Sequence, residues 1–252
     1  MILKIAYKGK DFCGSQIQAK GRTVEGEVIS ALERLDLIDK KASRFRILSR
    51  TDKGVSACCN LAKFETKKNV DIERLNHELP TDIFILGKSE GVLKLPVKKH
   101  YVYVVGFSDA KRLDLDKLKH VAKLFSGKHD FSNFARIEKD KEKTSVREIE
   151  VNVEVSGNLI LIHFHGTGFL WQMIRRIVRC MYDFSYGKID ESEILGLLSL
   201  KISKNYSAAD ACNLILFDID AGLKFDEDVR AKKKIDKKMG LLEREMFFFS
   251  QL

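Results

Sequence analysis

The sequence reads Ser49-Arg50-Thr51-Asp52-Lys53-Gly54-Val55-Ser56-Ala57 between two apolar runs, residues 45–48 and 57–64. The runs predict strands, and Asp-Lys-Gly between them is typical of a turn, because glycine reaches backbone conformations closed to other residues. Asp52 is therefore expected on a short loop at the mouth of a sheet, facing outward beside Arg50. An isolated motif of this kind most often only closes a turn, so its functional meaning depends on the rest of the chain.

The composition bounds the class of protein. The 252 residues are 44% hydrophobic and 32% charged, which fits one large domain or two of ordinary size with a polar surface. The sequence shows no signal-peptide pattern and no apolar run long enough to cross a bilayer, so we expect a cytoplasmic protein without membrane association. The net charge of +9 permits a nucleic-acid partner but does not by itself indicate one.

The cysteines and histidines give little support for a disulfide framework or a metal site. The five cysteines are odd in number and form no Cys-x-x-Cys pair, which favours a reducing compartment. His163 and His165 stand two apart on a predicted strand, hence on one face, which would supply half of a metal site. Because no second ligand pair follows at suitable spacing, a polar wall or a strand end is the favoured interpretation.

Thr23 and Asp114 are expected to cap helices, and a longer helix is expected from about Phe169 to Asp183. The helix after Asp114 has a predicted apolar face of Leu118, Val121, Ala122 and Phe125.

Hydrophobic periodicity predicts a comparable order of elements twice, with two helices and three or four strands in each half. This order is typical of two α/β (mixed α+β) domains that share one sheet. We therefore predict an N-terminal domain over residues 1–106, a C-terminal domain over 107–223 and a basic and apolar tail over 224–252. The basic run 232–238 of the tail is interpreted as a solvated helix face, with contact to phosphate as the alternative.

Two further segments carry side chains suited to nucleic-acid chemistry. Tyr101 and Tyr103 share one face of a predicted strand, where either presents an aromatic plane to a base or both are simply half-buried in the sheet. Arg175 and Arg176 stand on a largely apolar predicted helix. A guanidinium near a core needs a carboxylate, and Arg175 paired with Asp52 would keep that acid ionised. The alternative is that both arginines reach water.

These segments form part of an ordered series of motifs. The series comprises Tyr7, Gly9, Phe12, Gly14, Gln16, Gln18, Thr23-Val24-Glu25-Gly26, Arg50-Thr51-Asp52-x-Gly54-Val55, Phe64, Leu75-Asn76, Leu79-Pro80-x-Asp82-Ile83, Tyr101-x-Tyr103, Gly127-x-His129-Asp130-Phe131-x-x-Phe134 and Gly168-Phe169-Leu170-x-x-Met173-x-Arg175-x-Ile177-Val178. In this order the motifs resemble the tRNA pseudouridine synthase A family, in its archaeal form. The resemblance covers roughly residues 1–220, and the series is far more specific than Arg-Thr-Asp alone.

The resemblance implies a pseudouridine synthase fold, with two similar α/β domains that share a mixed, mostly antiparallel central sheet and a basic cleft. It implies an isomerase (an intramolecular transferase) that converts uridine to pseudouridine in the anticodon stem-loop of tRNA, at positions 38, 39 and/or 40. The target base is flipped out of the helix, and neither a cofactor nor a metal is needed. The partners implied are tRNA and a second copy of the chain in a homodimer.

The resemblance also implies roles for individual residues. Asp52 corresponds to the catalytic aspartate, Tyr101 to the catalytic tyrosine that packs on the target base, and Arg175 to the arginine paired with the aspartate. Arg50 corresponds to the arginine that fills the space left by the flipped nucleotide. The residues expected to bind RNA or substrate are Arg50, Thr51, Lys53, Lys99 and Tyr101.

The sequence departs from the family pattern near the proposed site. Ser56 stands where many members have histidine, Lys53 where alanine is usual and Asn60 where glutamine is common. The segment before Tyr101, residues 95–100, is shorter than usual. That shortening bears on RNA docking along this edge more than on the catalytic step.

Two other classes of function remain open. An RNA-binding protein with this fold would keep its function without Asp52 and lose it, with steep salt dependence, when basic side chains are removed. The second class is another RNA-directed enzyme, such as a nuclease or a methyltransferase. A nuclease normally shows several metal-binding carboxylates and a methyltransferase a glycine-rich cofactor loop, and the sequence contains neither pattern.

Overall fold

The computed structural model describes residues 1–39, 44–137 and 144–227. These residues form two units, the first of residues 1–97 with 215–227 and the second of residues 98–214. Over the same described stretches, no helix has the length and apolar character needed to cross a membrane. The basic run and most of the tail predicted from the sequence lie outside the described residues.

Ten strands and six helices occur in the described part of the chain. The strands are β1 (Ile2–Tyr7), β2 (Arg46–Ile47), β3 (Ser56–Lys63), β4 (Ile83–Ser89), β5 (Lys98–Val104), β6 (Gly127–Asp130), β7 (Val146–Ser156), β8 (Leu159–Gly166), β9 (Leu214–Asp220) and β10 (Asp226–Glu227). The helices are α1 (Val24–Arg34), α2 (Ile72–Glu78), α3 (Phe107–Ala110), α4 (Leu115–Phe125), α5 (Met173–Ser185) and α6 (Glu191–Leu198).

The sheet of the first unit is mixed and mostly antiparallel. β1 pairs antiparallel with β3 and β4, β2 pairs antiparallel with β3, and β10 pairs antiparallel with β4. β9 runs parallel to the start of β3, with Ser56 opposite Ile215 and Ala57 opposite Leu216. The Thr23 hydroxyl accepts from the Gly26 N–H and so caps α1, as the sequence predicts.

The second unit consists of an antiparallel sheet covered by helices. Its strands pair in the order β5, β8, β7 and β6, and α4 packs on β7 and α5 on α4. Asp114 caps α4 through the Lys117 N–H, and the predicted apolar face of this helix is buried. α5 begins at Met173 rather than at the predicted residue 169, because Gln172 adopts a left-handed conformation with φ of 60° just before it.

The α/β class and the mixed, mostly antiparallel sheet expected from the sequence are confirmed. The two units divide the chain differently from the domains expected from periodicity. β5 lies in the second unit because it pairs along its length with β8, so the division falls between Val97 and Lys98. β9 returns to the first unit, where it pairs with β3. Periodicity identifies strands but not their partners, which explains both differences.

Candidate active site

The turn predicted at Asp-Lys-Gly is present in the first unit. Gly54 has a φ of 87°, in the region that favours glycine, and the Val55 N–H donates to the Asp52 carbonyl oxygen at 3.1 Å. Asp52 is half-buried, whereas Arg50 and Lys53 on either side are exposed. The loop therefore presents a partly sheltered carboxylate between two solvent-exposed cations.

Thr51 is buried and anchors the loop immediately before Asp52. Its hydroxyl shares a 2.8 Å hydrogen bond with the Tyr7 hydroxyl, and its N–H donates to Ser15 Oγ at 2.8 Å. The Ser15 N–H in turn donates to the Thr51 carbonyl oxygen at 3.1 Å. Burial raises the pKa of Tyr7 to about 12, so its phenol stays neutral and keeps its proton for hydrogen bonding.

Asn60 on β3 ties the same loop to the sheet. Its Nδ2 donates to the Tyr7 hydroxyl at 3.0 Å and to the Ser49 carbonyl oxygen at 2.8 Å. Its Oδ1 accepts from the N–H groups of Ser49 at 3.2 Å and Leu61 at 2.9 Å. The side chain is fully buried, and a satisfied buried amide favours one loop arrangement over others. The sequence pattern indicated only that asparagine replaces the common glutamine at position 60, although a polar residue inside an apolar strand was a signal of this role.

Two glycines allow the chain after β1 to lie against the loop. A Cβ on Gly9 would be 2.1 Å from the Val55 carbonyl oxygen, and a Cβ on Gly14, whose φ is 116°, would be 3.0 Å from the Thr51 carbonyl oxygen. The Gly9 N–H donates to Ser56 Oγ at 3.0 Å. Larger residues at these positions would displace the backbone on which Asp52 stands.

In the second unit, the two predicted tyrosines differ in their surroundings. Tyr101 lies opposite Phe164 in the β5–β8 pairing, and its ring meets Phe169 edge-on, with centroids 5.2 Å apart and an interplanar angle of 79°. Tyr103 is buried against Tyr182, and burial is the main cause of its raised pKa. Both tyrosines are buried, with Tyr101 6% and Tyr103 2% exposed, and Tyr101 is the one nearer the start of β5.

Lys99 and Arg175 also belong to the second unit. Lys99 lies two residues before Tyr101 on the same strand face, and burial lowers the pKa of its ammonium group. Arg175 is half-buried in the first turn of α5, where its Nε donates to the Ala209 carbonyl oxygen at 2.7 Å. The Ala209 N–H donates to the Arg175 carbonyl oxygen at 3.0 Å, so the guanidinium is held at a fixed place on the helix.

The predicted histidine pair lies on the other face of this sheet. His100 stacks on His165 with ring centroids 4.1 Å apart, and its Nε2 is 3.0 Å from His163 Nδ1. His163 Nε2 lies 3.2 Å from Glu154 Oε2. Across the described parts of the chain, no group of three or more His, Cys, Asp or Glu side chains is arranged to hold a metal ion. We refer to the stacked side chains of His100, His163 and His165 as the histidine wall.

The histidine wall predicts a pH dependence of stability. Burial lowers the pKa of His163 in the folded chain, so the unfolded chain binds more protons as the pH falls through the ordinary histidine range. We therefore expect the free energy of unfolding to decrease between pH 7 and pH 5. His163→Gln should remove part of this decrease in urea titrations, and His77→Gln, an exposed control on α2, should not. An unchanged slope in His163→Gln would contradict this assignment.

Comparison with known proteins identifies the family. A family model described as tRNA pseudouridine synthase matches residues 121–220. A tRNA pseudouridine synthase A from Thermococcus sibiricus is 38% identical over 255 residues, which cover 96% of this chain and 92% of the relative. The chain belongs to the tRNA pseudouridine synthase A family. This membership confirms the resemblance drawn from the motif series, and it makes the chain a pseudouridine-forming isomerase.

Other members of the tRNA pseudouridine synthase A family match over similar lengths. The relative from Methanosphaera stadtmanae is 34% identical over 92% of this chain and 88% of its own length. The relative from Methanothermobacter thermautotrophicus is 33% identical over 99% of this chain and 91% of its own length. Among solved structures, a chain of a Cbf5-Nop10-Gar1 complex matches with a TM-score of 0.37 and 16% identity over 71% of this chain and 43% of that chain. That likeness is too low to support an inference.

Proposed function

We propose that the chain converts uridine to pseudouridine in the anticodon stem-loop of tRNA, at one or more of positions 38, 39 and 40. The observation that supports this most is the Asp52 loop, a half-buried carboxylate on a turn whose backbone is fixed by buried hydrogen bonds. A reaction on a flipped nucleotide requires the reacting groups to be positioned closely, and a fixed carboxylate meets that requirement.

The proposed reaction rearranges the substrate without adding or removing atoms. The glycosidic bond between the ribose carbon and the uracil nitrogen breaks, the uracil turns, and its C5 bonds to the same ribose carbon while the C5 proton moves to the nitrogen. In this proposal Asp52 acts either as the nucleophile on the sugar or base, or as the base that removes a ribose proton. Neither route requires a cofactor or a metal.

The remaining site residues are proposed to bind and orient the RNA. Arg50 is exposed beside the carboxylate and is assigned to the space left by the flipped nucleotide, which costs a few kcal/mol to extrude. Tyr101, whose ring orientation is fixed by Phe169, is assigned to the target base. Arg175 is assigned the role of keeping the catalytic carboxylate ionised. Thr51, Lys53 and Lys99 complete the proposed set of RNA-binding or substrate-binding residues.

A set of matched transcripts tests the substrate assignment. Three unmodified tRNA transcripts carry a single uridine at position 38, 39 or 40 in the anticodon stem-loop, and a fourth carries cytidine at all three. Pseudouridine is detected by chemical labelling and reverse-transcription stops, with binding measured alongside. We expect stops at one or more of the three uridines and none on the cytidine transcript. Tight binding without stops would instead indicate an RNA-binding protein or a different RNA target.

The homodimer implied by the resemblance and the cytoplasmic location expected from the sequence stay predictions. Light scattering of the full chain distinguishes a mass near 58 kDa, twice the 28.8 kDa of the chain, from the mass of a monomer. A monomeric mass at concentrations where the enzyme is active would contradict the dimer.

A further inference from the structure

Three arginines gather around the start of α5 in the second unit. Arg175 and Arg176 lie in the first turn of the helix, and Arg136 follows the short 3-10 helix Ser132–Phe134. The backbone of Arg136 is hydrogen-bonded to Trp171 and the side chain of Arg176 to the adjacent Gln172, so both arginines lie next to the turn before α5. Burial lowers the pKa of Arg176, and the positive charges of Arg136 and Arg175 lower it further. Within the described residues, no carboxylate lies at ion-pair distance from Arg136 or Arg176.

Among the residues that the structure describes, Arg176 is a buried cation whose side-chain partners are all neutral. Its side chain is bonded to two amide oxygens, through Nε and Nη2 to Gln172 Oε1 at 3.4 and 3.2 Å and through Nη1 to Asn205 Oδ1. Only 8% of the residue is exposed. The amides fix the orientation of the guanidinium but do not neutralise its charge, and a buried charge without a counter-charge is costly. Neither alternative from the sequence, a carboxylate partner or full exposure, describes this arginine.

Arg136 is held by an aromatic ring. Its guanidinium carbon lies 4.4 Å from the centre of the Trp171 ring, and its backbone N–H donates to the Trp171 carbonyl oxygen at 2.9 Å. Stacking on a ring leaves the N–H groups at the edge of a guanidinium available, and no described residue accepts from them. Arg136 is thus exposed, and its guanidinium lies over the Trp171 ring.

The same helix contains an arginine that is paired in the ordinary way. Arg179, one turn after Arg176, lies 3.4 Å from Asp183 in an i,i+4 ion pair. Arg179 is half-exposed and has a carboxylate partner, whereas Arg176 is buried and has none among the described residues. Solvation does not explain why the exposed arginine is the paired one, because a buried charge is stabilised more by a counter-ion than an exposed charge is.

We propose that Arg136 and Arg176, supported by Trp171, Gln172 and Asn205, bind the phosphodiester backbone of the RNA substrate. The planar guanidinium fork matches a phosphate, and the phosphate supplies the negative charge that the buried arginine lacks. Phosphate contacts of this kind position an RNA without reading its sequence. The proposal rests on the proposed function for its ligand, because it takes tRNA as the substrate.

Two substitutions on the full chain test the site, Arg136→Gln and Arg176→Gln. The dissociation constant of an unmodified tRNA transcript is measured between 50 and 300 mM salt. We expect each variant to bind about 10-fold more weakly and to reduce the slope of log K against log salt by about 1, as for one lost phosphate contact. KM for pseudouridine formation should rise by a similar factor. Because Arg136 is exposed, Arg136→Gln should fold, and it keeps the test valid if Arg176→Gln does not fold.

Two matched variants remove the same charge elsewhere in the second unit. Arg179→Gln removes the paired arginine of α5, and Arg112→Gln removes an arginine that lies over Tyr186, 5.5 Å from the ring centre. Both should keep the wild-type salt slope. Equal salt slopes in all four variants and the wild type would overturn the phosphate site. A reduction of the salt slope by the same amount in all four variants would also overturn it, because it would indicate only a general charge effect.

The remaining outcomes separate this site from the proposed function. Inorganic phosphate, titrated at constant ionic strength, would stabilise the wild type but not Arg176→Gln against thermal unfolding if free phosphate were the ligand. That result together with unchanged RNA slopes would overturn the proposal. If the wild type forms no pseudouridine but Arg136→Gln and Arg176→Gln reduce the salt slope of RNA binding, the proposed function fails and the phosphate site stands. If pseudouridine forms and the slopes are unchanged, the phosphate site alone fails.

Discussion

Asp52→Asn is expected to reduce the single-turnover rate of pseudouridine formation by at least about 1,000-fold while tRNA binding stays within a few-fold of wild type. Asparagine has nearly the same shape as aspartate but cannot remove a proton or form the covalent bond that the nucleophilic routes require. The binding residues and the loop backbone are unchanged. The rate is measured on a transcript with enzyme in excess, so that product release does not contribute.

The loop structure makes this substitution a test of chemistry rather than of folding. The hydrogen bonds that fix the loop involve Thr51, Tyr7 and Ser15, and none of the three is altered. The melting temperature should therefore stay close to that of the wild type. Asp11→Asn, an exposed aspartate of the same unit, is the matched control and should keep full activity. Full activity in Asp52→Asn would remove Asp52 from the reaction, although the family membership would stand.

Features that depend on neighbours in the sequence were predicted well. The caps of α1 and α4 at Thr23 and Asp114 follow from side chains that bond N–H groups three residues ahead. The turn at Gly54 follows in the same way from the conformational freedom of one glycine. The helix start at Met173 was missed because nothing in the composition of residues 169–172 indicates the left-handed Gln172.

Features that join distant segments could not be predicted from periodicity. The parallel pairing of β9 with β3 places Ser56 opposite Ile215, far apart in the sequence, and alternation of apolar residues does not specify a partner strand. The polar network beneath Asp52 likewise joins residues from three separate segments, around Tyr7, Ser15 and Asn60. The roles of Asp52, Tyr101 and Arg175 came from the motif series, because a single carboxylate on a turn does not distinguish a catalyst from a turn residue.

Asn60→Leu is expected to lower both stability and the rate of the reaction. Leucine fills nearly the same volume but breaks the hydrogen bonds of the buried amide with the Ser49 backbone, the Leu61 N–H and the Tyr7 hydroxyl. Breaking a buried hydrogen bond costs about 1–3 kcal/mol, and the loss at the Ser49 carbonyl oxygen is partly offset because Ser15 Oγ donates to it at 3.5 Å. We therefore expect the free energy of unfolding, measured by urea denaturation, to fall by about 3 kcal/mol.

The effect of Asn60→Leu on the rate distinguishes a positioning residue from a merely structural one. A loop that moves by about 1 Å next to Asp52 can slow the reaction by about 100-fold, so kcat should fall strongly while KM changes less, at a temperature where the variant is fully folded. Asn152→Leu makes the same substitution on the exposed side of β7 and should alter neither quantity. Asn60→Gln, which keeps the amide, should recover part of the lost kcat. If Asn60→Leu loses stability but keeps the wild-type kcat, the network supports the fold without positioning Asp52.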